Sequence, residues 1–316
     1  MRLVFMGTPE FAVPSLERLA GSDHEIVSVI SRPDRPRGRG RRLQPTPVKA
    51  AAEALDLPVY QPESLGDSET VTRLEAFEAD LFVVVAFVIL PRRTLEIPRM
   101  GSVNLHPSLL PRYRGAAPIQ WAVINGETET GATTFLLSGR VDAGDLLLQE
   151  KTTIGSEETA GELHDRMMQS GADLVLRSVD GLSDGSLTPR PQSDEGATRA
   201  PKLEREDAWI RWDLGAESIR NLIRGTNPVP GAYTDSGGGS LKVLRAERGD
   251  QNGPNGVVVG VDRKRGVEVA AGEGSLTLTE VQPQGKRAMT GAEWARGCGI
   301  KVGDRFGKPT REGKGN

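Results

Sequence analysis

Residues 80–86 read Asp-Leu-Phe-Val-Val-Val-Ala, so that six apolar residues follow Asp80 without interruption. A short, continuous apolar run of this kind is typical of a strand buried on both faces of a parallel sheet. Towards the amino terminus, residues 2–6 and 25–30 are further strand candidates, and residues 11–19 and 48–55 have helical periodicity. Because strands alternate with helices, the sequence predicts an α/β fold with a doubly wound, mostly parallel sheet.

The 316-residue chain is long enough for two domains. Short strands are predicted at 102–105 and 133–137, and a long amphipathic helix at 158–182. Residues 187–200 are rich in Pro, Ser, Asp, Glu, Gly and Thr, a composition typical of connecting segments. We therefore expect a first domain at 1–190, a linker at 191–204 and a second domain at 205–316.

The second domain is predicted to be a small barrel. After a helix at 216–224, short β-prone runs separated by Gly- and Asn-rich turns occur at 241–246, 257–261, 266–270 and 275–281. Short strands at such spacing fit a five-stranded barrel of the oligonucleotide-binding type.

Composition argues against several classes of protein. The net charge is −3, and no apolar stretch is long enough to span a bilayer or to act as a signal peptide, so we expect a cytoplasmic protein. The single cysteine and three histidines form no cluster with the spacing of metal ligands, and we expect no metal.

Polar residues follow two of the predicted strands. Asn104 and His106 lie at alternate positions where a strand ends, and Asp142 follows another strand candidate. An imidazole, a carboxylate and an amide donor together form an acid/base unit with a group that can stabilise an oxyanion. Taken alone, His106 is more readily explained as a hydrogen-bonded core histidine, and Asp142 as a turn residue or helix cap.

The segment 31–47 carries six arginines against one aspartate. Its prolines and glycines are expected to exclude regular structure, and its charge predicts binding of an anion. The alternative is an ordinary solvated surface loop.

Several motifs resemble one enzyme family. The segment PRYRGAAPIQ at 111–120 is similar to that of the bacterial methionyl-tRNA formyltransferases, and HPSLLP at 106–111 and DAGD at 142–145 are shared more widely by 10-formyltetrahydrofolate-dependent formyltransferases. The motifs at 7–9, 200–203 and 227–232 extend the resemblance over nearly the whole chain.

The resemblance implies a Rossmann-like formyltransferase domain followed by the barrel. It implies that a formyl group moves from 10-formyltetrahydrofolate to the amino group of methionyl initiator tRNA, without a metal or a covalent enzyme intermediate. Asn104, His106 and Asp142 are then catalytic: Asn104 holds the oxyanion, His106 donates or shuttles a proton, and Asp142 orients His106 or a bridging water.

The resemblance also implies a slot for the folate. Two segments are expected to form it, namely Phe87, Val88, Ile89 and Leu90, and Ser108, Leu109, Leu110 and Pro111. This sequence departs from the usual family pattern at Phe87 and Val88, where Tyr-Gly is common, and at Arg140 and Ala143, where Gly and Thr are usual.

The tRNA is expected to contact the arginine-rich segment. The residues predicted to bind its acceptor stem are Arg37, Arg39, Arg41, Arg42 and Lys49. The basic residues of the second domain, among them Lys242 and Arg245, fit either an RNA surface or ordinary surface charge. We expect a monomer that binds reduced folate and no membrane.

Two other classes of function are compatible with parts of the sequence. A formyltransferase acting on glycinamide ribonucleotide or an amino-sugar nucleotide would share the three catalytic residues but is expected to lack the arginine segment and the barrel. A non-catalytic RNA-binding protein on the same scaffold would be expected to have lost one of the three.

Overall fold

The structure is a computed structural model that describes residues 1–37 and 42–307, and of Arg37 and Arg42 it describes the backbone alone. The chain forms two compact units whose segments interleave. The first comprises Met1–Pro118, Glu129–Thr153 and His164–Ala200, and the second Ile119–Thr128, Ile154–Leu163 and the chain from Pro201 on. The division into 1–190, 191–204 and 205–316 stays a prediction.

The first unit is built on a seven-stranded sheet. Its strands and those of a separate two-stranded hairpin are β1 (Arg2–Gly7), β2 (Glu25–Ile30), β3 (Arg35–Arg37), β4 (Arg42–Gln44), β5 (Val59–Tyr60), β6 (Leu81–Val85), β7 (Ser102–His106), β8 (Glu129–Leu136) and β9 (Leu146–Thr153). In chain order, the helices before residue 200 are α1 (Val13–Ala20), α2 (Pro47–Ala54), α3 (Ser68–Glu75), α4 (Arg92–Leu95), α5 (Pro118–Ile124) and α6 (Ala160–Ser183).

The order of the strands is β5-β2-β1-β6-β7-β8-β9. From β5 to β7 every pairing is parallel, whereas β8 runs antiparallel to β7 and β9 antiparallel to β8. The carboxyl ends of β6 and β7 therefore lie side by side, which is where ligands bind in doubly wound sheets.

The central strand β6 explains why this sheet forms. All five of its residues are buried between β1 and β7. Phe82 and Val84 share one face of the strand and pack in one cluster with Val4 and Met6 of β1. Full burial of each such side chain contributes roughly 1.5–3 kcal/mol, so a polar substitution in this strand would disrupt the first unit.

Most predicted elements are present, with some differences. Strand β2 matches its prediction. The strand predicted at 133–137 is longer at its amino-terminal end and ends one residue earlier, since β8 spans Glu129–Leu136. Five further elements were not predicted because they are short or polar, namely β5, β9, α3, α4 and α5. The expectation that residues 31–47 lack regular structure is wrong for β3 and β4, whose backbones pair antiparallel despite Pro36.

The second unit has helices α7 (Ala216–Thr226) and α8 (Gly291–Cys298) and an antiparallel sheet. The strands of this sheet are β10 (Ala232–Asp235), β11 (Ser240–Gly249), β12 (Val258–Asp262), β13 (Gly266–Ala270), β14 (Ser275–Pro283) and β15 (Met289–Thr290). Their order is β10-β11-β14-β13-β12, with β15 beside β14.

The chain after α8 connects the two ends of this sheet. Gly307 bridges to Asp235 in β10, and Arg305 bridges to Val257, which precedes β12. Ile219 and Ile223 of α7 belong to the core cluster of this unit. The predicted fold class, a mostly parallel α/β domain with a small antiparallel β domain, is confirmed.

Within residues 1–37 and 42–307, no helix has both the length and the apolar character needed to cross a membrane.

Candidate active site

Asn104 lies in the middle of β7 with its amide directed towards the neighbouring strand. Its backbone is paired with Val84 of β6 on one side and Phe135 of β8 on the other. The side-chain Nδ2 donates a hydrogen bond to the carbonyl oxygen of Val84 at 2.9 Å. Because an amide nitrogen carries two hydrogens, the second remains available to a bound group.

His106, two residues further along β7, is buried with 5% of its surface exposed. Its Nε2 lies 2.9 Å from the carbonyl oxygen of Tyr113, which can only accept, so Nε2 carries a proton. Burial lowers the pKa of His106, while the carboxylate of Asp142 and the Tyr113 carbonyl oppose that shift. The ring is therefore neutral at pH 7, and its Nδ1 carries a lone pair.

Asp142 faces that lone pair. Its Oδ2 accepts a hydrogen bond from the backbone N–H of Gly115 at 2.8 Å and lies 3.7 Å from Nδ1 of His106. The latter distance is too long for a direct hydrogen bond, and both atoms are acceptors when the imidazole is neutral. The site thus presents two acceptors to one donor, such as an amine or a water molecule.

Two tight turns hold these groups in place. Asp142 has a positive φ of 48°, which is uncommon for a residue other than glycine. Gly115 has a φ of 129°, and a Cβ there would overlap the carbonyl oxygen of Ala200. At Gly144, a Cβ would overlap the carbonyl oxygen of Leu136. The loop from 137 to 145 therefore requires glycine close to the acidic residue.

A cavity of ≈ 470 Å³ opens beside Asn104 and Asp142. Its wall is largely apolar, and Ile89 and Val141 at its rim are 80% and 60% exposed. The residues that line it are Val84, Phe87, Val88, Ile89, Leu90, Arg92, Leu95, Asn104, Leu137, Ser138, Gly139, Arg140, Val141 and Asp142. The structure thus brings the first predicted folate-binding segment, 87–90, together with two of the predicted catalytic residues.

The second predicted folate-binding segment is partly buried, with Ser108 and Leu110 in the protein interior. Ser108 is fully buried and its Oγ donates to the carbonyl oxygen of Arg112 at 2.6 Å. Thr133 binds both the carbonyl of Ser108 and the N–H of Leu110. Among the described residues, neither Ser108, Leu109, Leu110 nor Pro111 lines the cavity of ≈ 470 Å³. Direct contact of this segment with the folate stays a prediction.

The predicted tRNA-binding residues are only partly described. The backbones of Arg37 and Arg42 pair with each other in the β3–β4 hairpin, and Arg39 and Arg41 lie outside the described residues. Lys49 is near the start of α2, where its Nζ lies 2.6 Å from Oδ2 of Asp34. This contact lowers the pKa of Asp34 and raises that of Lys49. Lys49 is therefore charged and already has a partner at the base of the hairpin.

Sequence reasoning missed several residues of the site. Arg92 and Arg140 line the cavity. Arg92 attracts no notice from the sequence because isolated arginines usually lie on a solvated surface, and Arg140 stands out there only as a departure from the family pattern. Gln192 and Thr198, from the segment predicted to be a linker, bind residues of the site through side-chain hydrogen bonds. Nothing in the sequence indicates these contacts, because they arise from the packing of distant segments. Across residues 1–37 and 42–307, no three His, Cys, Asp or Glu side chains are grouped to hold a metal ion.

Comparison with known families accounts for both parts of the chain. Residues 1–179 match the formyl transferase model, and residues 202–299 match the model of the formyl transferase C-terminal domain. The chain belongs to the formyl transferase family. The resemblance to this family predicted from the sequence is confirmed.

Relatives within the formyl transferase family are similar over their whole length. A methionyl-tRNA formyltransferase from Moorella thermoacetica is 50% identical over 311 residues, which cover 97% of this chain and 99% of that protein. Another methionyl-tRNA formyltransferase, from Citrifermentans bemidjiense, is 43% identical over 309 residues, covering 98% and 97%.

Two solved structures share the fold at low sequence identity. The N-formyltransferase from Helicobacter canadensis, in complex with folinic acid and dTDP-3-aminofucose, has a TM-score of 0.65 and 16% identity over 87% of this chain and 98% of its own. HypX from Aquifex aeolicus in complex with tetrahydrofolic acid has a TM-score of 0.62 and 17% identity over 93% of this chain. This chain spans about half of HypX, 47% of its length.

Proposed function

We propose that this protein transfers the formyl group of 10-formyltetrahydrofolate to the free amino group of methionyl initiator tRNA. The observation that carries the proposal is the apposition of His106 Nδ1 and Asp142 Oδ2, 3.7 Å apart, next to the cavity that Asn104 lines. Two facing hydrogen-bond acceptors require a donor between them, and in formyl transfer the attacking amine supplies it.

The reaction requires an amine to attack the formyl carbon. A bond forms between the amine nitrogen and that carbon, and the bond from the carbon to N10 of the folate then breaks. Neutral His106 accepts the proton that the amine loses, since its Nδ1 lone pair is free of a direct hydrogen bond from Asp142. The departing N10 takes up a proton from the imidazolium of His106, which returns the ring to its neutral form. Asp142 stabilises the imidazolium formed, and Gly115 fixes the orientation of this carboxylate.

Asn104 acts on the formyl oxygen. Negative charge develops on this oxygen in the tetrahedral intermediate, and a fixed donor at that point lowers the barrier. The hydrogen bond to Val84 fixes one N–H of the Asn104 amide, which leaves the second directed by the strand and not by a flexible rotamer. Holding the amine and the formyl group together makes the transfer effectively intramolecular, and this lowers the activation barrier more than the acid/base steps do.

The cavity fits a reduced folate in size and in chemistry. Its ≈ 470 Å³ falls in the range of pockets for ligands of this size. Apolar side chains of Phe87, Val88 and Leu90 cover the faces of the pterin, and backbone groups of this segment read its polar edge. Arg92 and Arg140 add positive charge to the lining, which suits the carboxylates of the folate tail.

The arginine-rich segment binds the acceptor stem of the tRNA. Guanidinium groups match phosphate oxygens bidentately, and this segment supplies Arg37, Arg39, Arg41 and Arg42. Lys49 lies at the base of the hairpin, where its ion pair with Asp34 holds the two ends of the segment together. We propose that the protein acts as a monomer in the cytoplasm, where aminoacylated tRNA is used for translation.

The decisive experiment compares amine acceptors. Purified protein and 10-formyltetrahydrofolate are incubated with methionyl initiator tRNA, methionyl elongator tRNA, glycinamide ribonucleotide or an amino-sugar nucleotide. Formylation of the initiator tRNA is expected, with a kcat/KM well above that for the elongator. Formyl transfer confined to either nucleotide would overturn the proposed acceptor, and no transfer to any of them would overturn the proposed catalytic role.

A further inference from the structure

The side chain of Gln192 joins two loops that are distant in the sequence. Its Oε1 accepts hydrogen bonds from the guanidinium of Arg114, with Nε at 2.9 Å. Its Nε2 donates to the carbonyl oxygen of Gly144 at 2.8 Å. Gln192 therefore connects the turn around Arg114 with the loop that carries Asp142.

The turn around Arg114 contacts both members of the proposed catalytic pair, and the other loop carries one of them. Arg114 lies between Tyr113, whose carbonyl accepts from His106, and Gly115, whose N–H donates to Asp142. Gly144 lies two residues after Asp142. The 3.7 Å separation of His106 Nδ1 and Asp142 Oδ2 consequently depends on the position of the two loops relative to each other.

Other residues of the same segment support the two loops in different ways. Thr198 Oγ1 accepts from the N–H of Tyr113 at 2.8 Å, a contact to one loop alone. Asp194 accepts from Arg114 at 2.7 Å and from Arg140 at 3.1 Å, but its side chain is 60% exposed, so water weakens both pairs. Gln192 contributes an acceptor to one loop and a donor to the other, which a carboxylate could not do.

We propose that Gln192 is a positioning residue for formyl transfer, which holds the carboxylate of Asp142 against the imidazole of His106 without touching substrate. The inference rests on the roles given to His106 and Asp142 in the proposed function. Gln192 thus has a role in the reaction, although the composition of its segment indicates only a linker.

The test uses the full-length protein with Gln192→Met, which keeps the length of the side chain and removes both hydrogen bonds. At saturating substrates we expect kcat to fall about 10- to 100-fold, since small displacements of catalytic groups have effects of this size. The KM for tRNA should stay within about twofold. Arg114→Lys, which keeps the charge beside Asp194 but removes the paired hydrogen bonds to Gln192, should change kcat in the same direction.

The pH profile distinguishes positioning from simple stabilisation of the fold. A carboxylate moved away from His106 supports its protonation less, so the acidic limb of kcat/KM should shift to lower pH in Gln192→Met. Ser193→Ala, in the adjacent position, serves as the control and should leave kcat, the pH profile and the melting temperature unchanged. If Gln192→Met fails to fold, Arg114→Lys decides the question by the same two measurements.

Two results would overturn the inference. One is a kcat within twofold of wild type in both variants, and the other is a loss of activity that follows the unfolded fraction while the pH midpoint stays unchanged. His106→Gln and Asp142→Asn are measured in parallel. If these two abolish activity and Gln192→Met does not, only the positioning role is wrong, whereas an inactive wild-type protein would instead contradict the proposed function.

Discussion

The Nδ1 atom of His106 and the Oδ2 atom of Asp142 face each other at 3.7 Å, with the other ring nitrogen of the histidine bound to the carbonyl oxygen of Tyr113. Since that carbonyl can accept only, the lone pair of the neutral ring must point towards the carboxylate. Two acceptors placed this way repel each other weakly until a donor enters. The arrangement is thus adapted to a substrate that carries N–H groups.

Asp142→Asn tests the charge of this pair. The asparagine can still accept from Gly115 through its carbonyl oxygen, so the loop should keep its conformation. The imidazolium loses its stabilising charge, and kcat should fall roughly 10²- to 10⁴-fold, as for other general acid/base groups. Single-turnover formylation and circular dichroism are the measurements. A kcat within threefold of wild type would exclude a catalytic role for the carboxylate.

Asn104→Ala tests the oxyanion donor. Loss of the free N–H should lower kcat about 10²- to 10³-fold with little change in the KM for tRNA, because the charge that this group stabilises exists only in the transition state. The variant also leaves the carbonyl oxygen of Val84 without its side-chain donor, so the melting temperature must be recorded. An increase in KM with unchanged kcat would show that the amide serves ground-state binding instead.

The buried histidine should make stability depend on pH. Burial holds the pKa of His106 below its value of 6.5 in the unfolded chain, so the unfolded state takes up the proton first. Stability is then greatest above pH 6.5 and falls as the pH decreases towards the lowered pKa. We expect the free energy of unfolding in urea at pH 5.5 to be below that at pH 7.5, and His106→Asn to reduce this difference.

Aspartates that accept hydrogen bonds from arginine do not obscure this comparison. Asp80 and Asp194, for example, have pKa values below the ordinary 3.8 of an aspartate because each accepts hydrogen bonds from arginine, so they lose protons well below pH 5.5. Their contribution to stability disappears in a more acidic range. An equal pH difference in wild type and His106→Asn would contradict the assignment to this histidine.

Gly144→Ala should destabilise the loop that carries Asp142. The added methyl would overlap the carbonyl oxygen of Leu136, and that backbone group cannot move without breaking the pairing of Leu136 with Asp145. A cost of about 2 kcal/mol or more is expected from forced overpacking of this kind. The matched control is Gly139→Ala in the same loop, where a Cβ meets nothing within 4 Å. Its free energy of unfolding should stay within about 0.5 kcal/mol of wild type.

Charge reversal in the arginine-rich segment should act on tRNA and not on folate. Arg39→Glu combined with Arg41→Glu is expected to raise the KM for methionyl-tRNA and to reduce the salt dependence of kcat/KM, by roughly one unit of slope for each phosphate that is no longer neutralised. Arg18→Glu combined with Arg177→Glu, at exposed sites paired with Asp173 and Glu150, provides a control with the same change in net charge. An unaltered salt slope in the double variant would remove this segment from the tRNA interface.

The sequence alone was sufficient for the class of fold. The uninterrupted apolar run at 81–86 and its alternation with helical periods indicate a parallel sheet, because burial on both faces leaves no position for polar residues. It was also sufficient to identify Asn104 and His106 as neighbours, since positions two apart in a strand share a face. Short or polar elements such as β5 and α4 left no comparable pattern.

The tertiary structure alone decided how these groups are used. No spacing in the chain relates Asp142 to His106 or Gln192 to both of their loops, because contacts between distant segments arise from packing and not from local periodicity. The sequence could likewise not place Ser108 in the interior or pair Lys49 with Asp34. Residue types and their local order determined which chemistry was available to this protein, whereas the folded backbone determined the distances at which that chemistry operates.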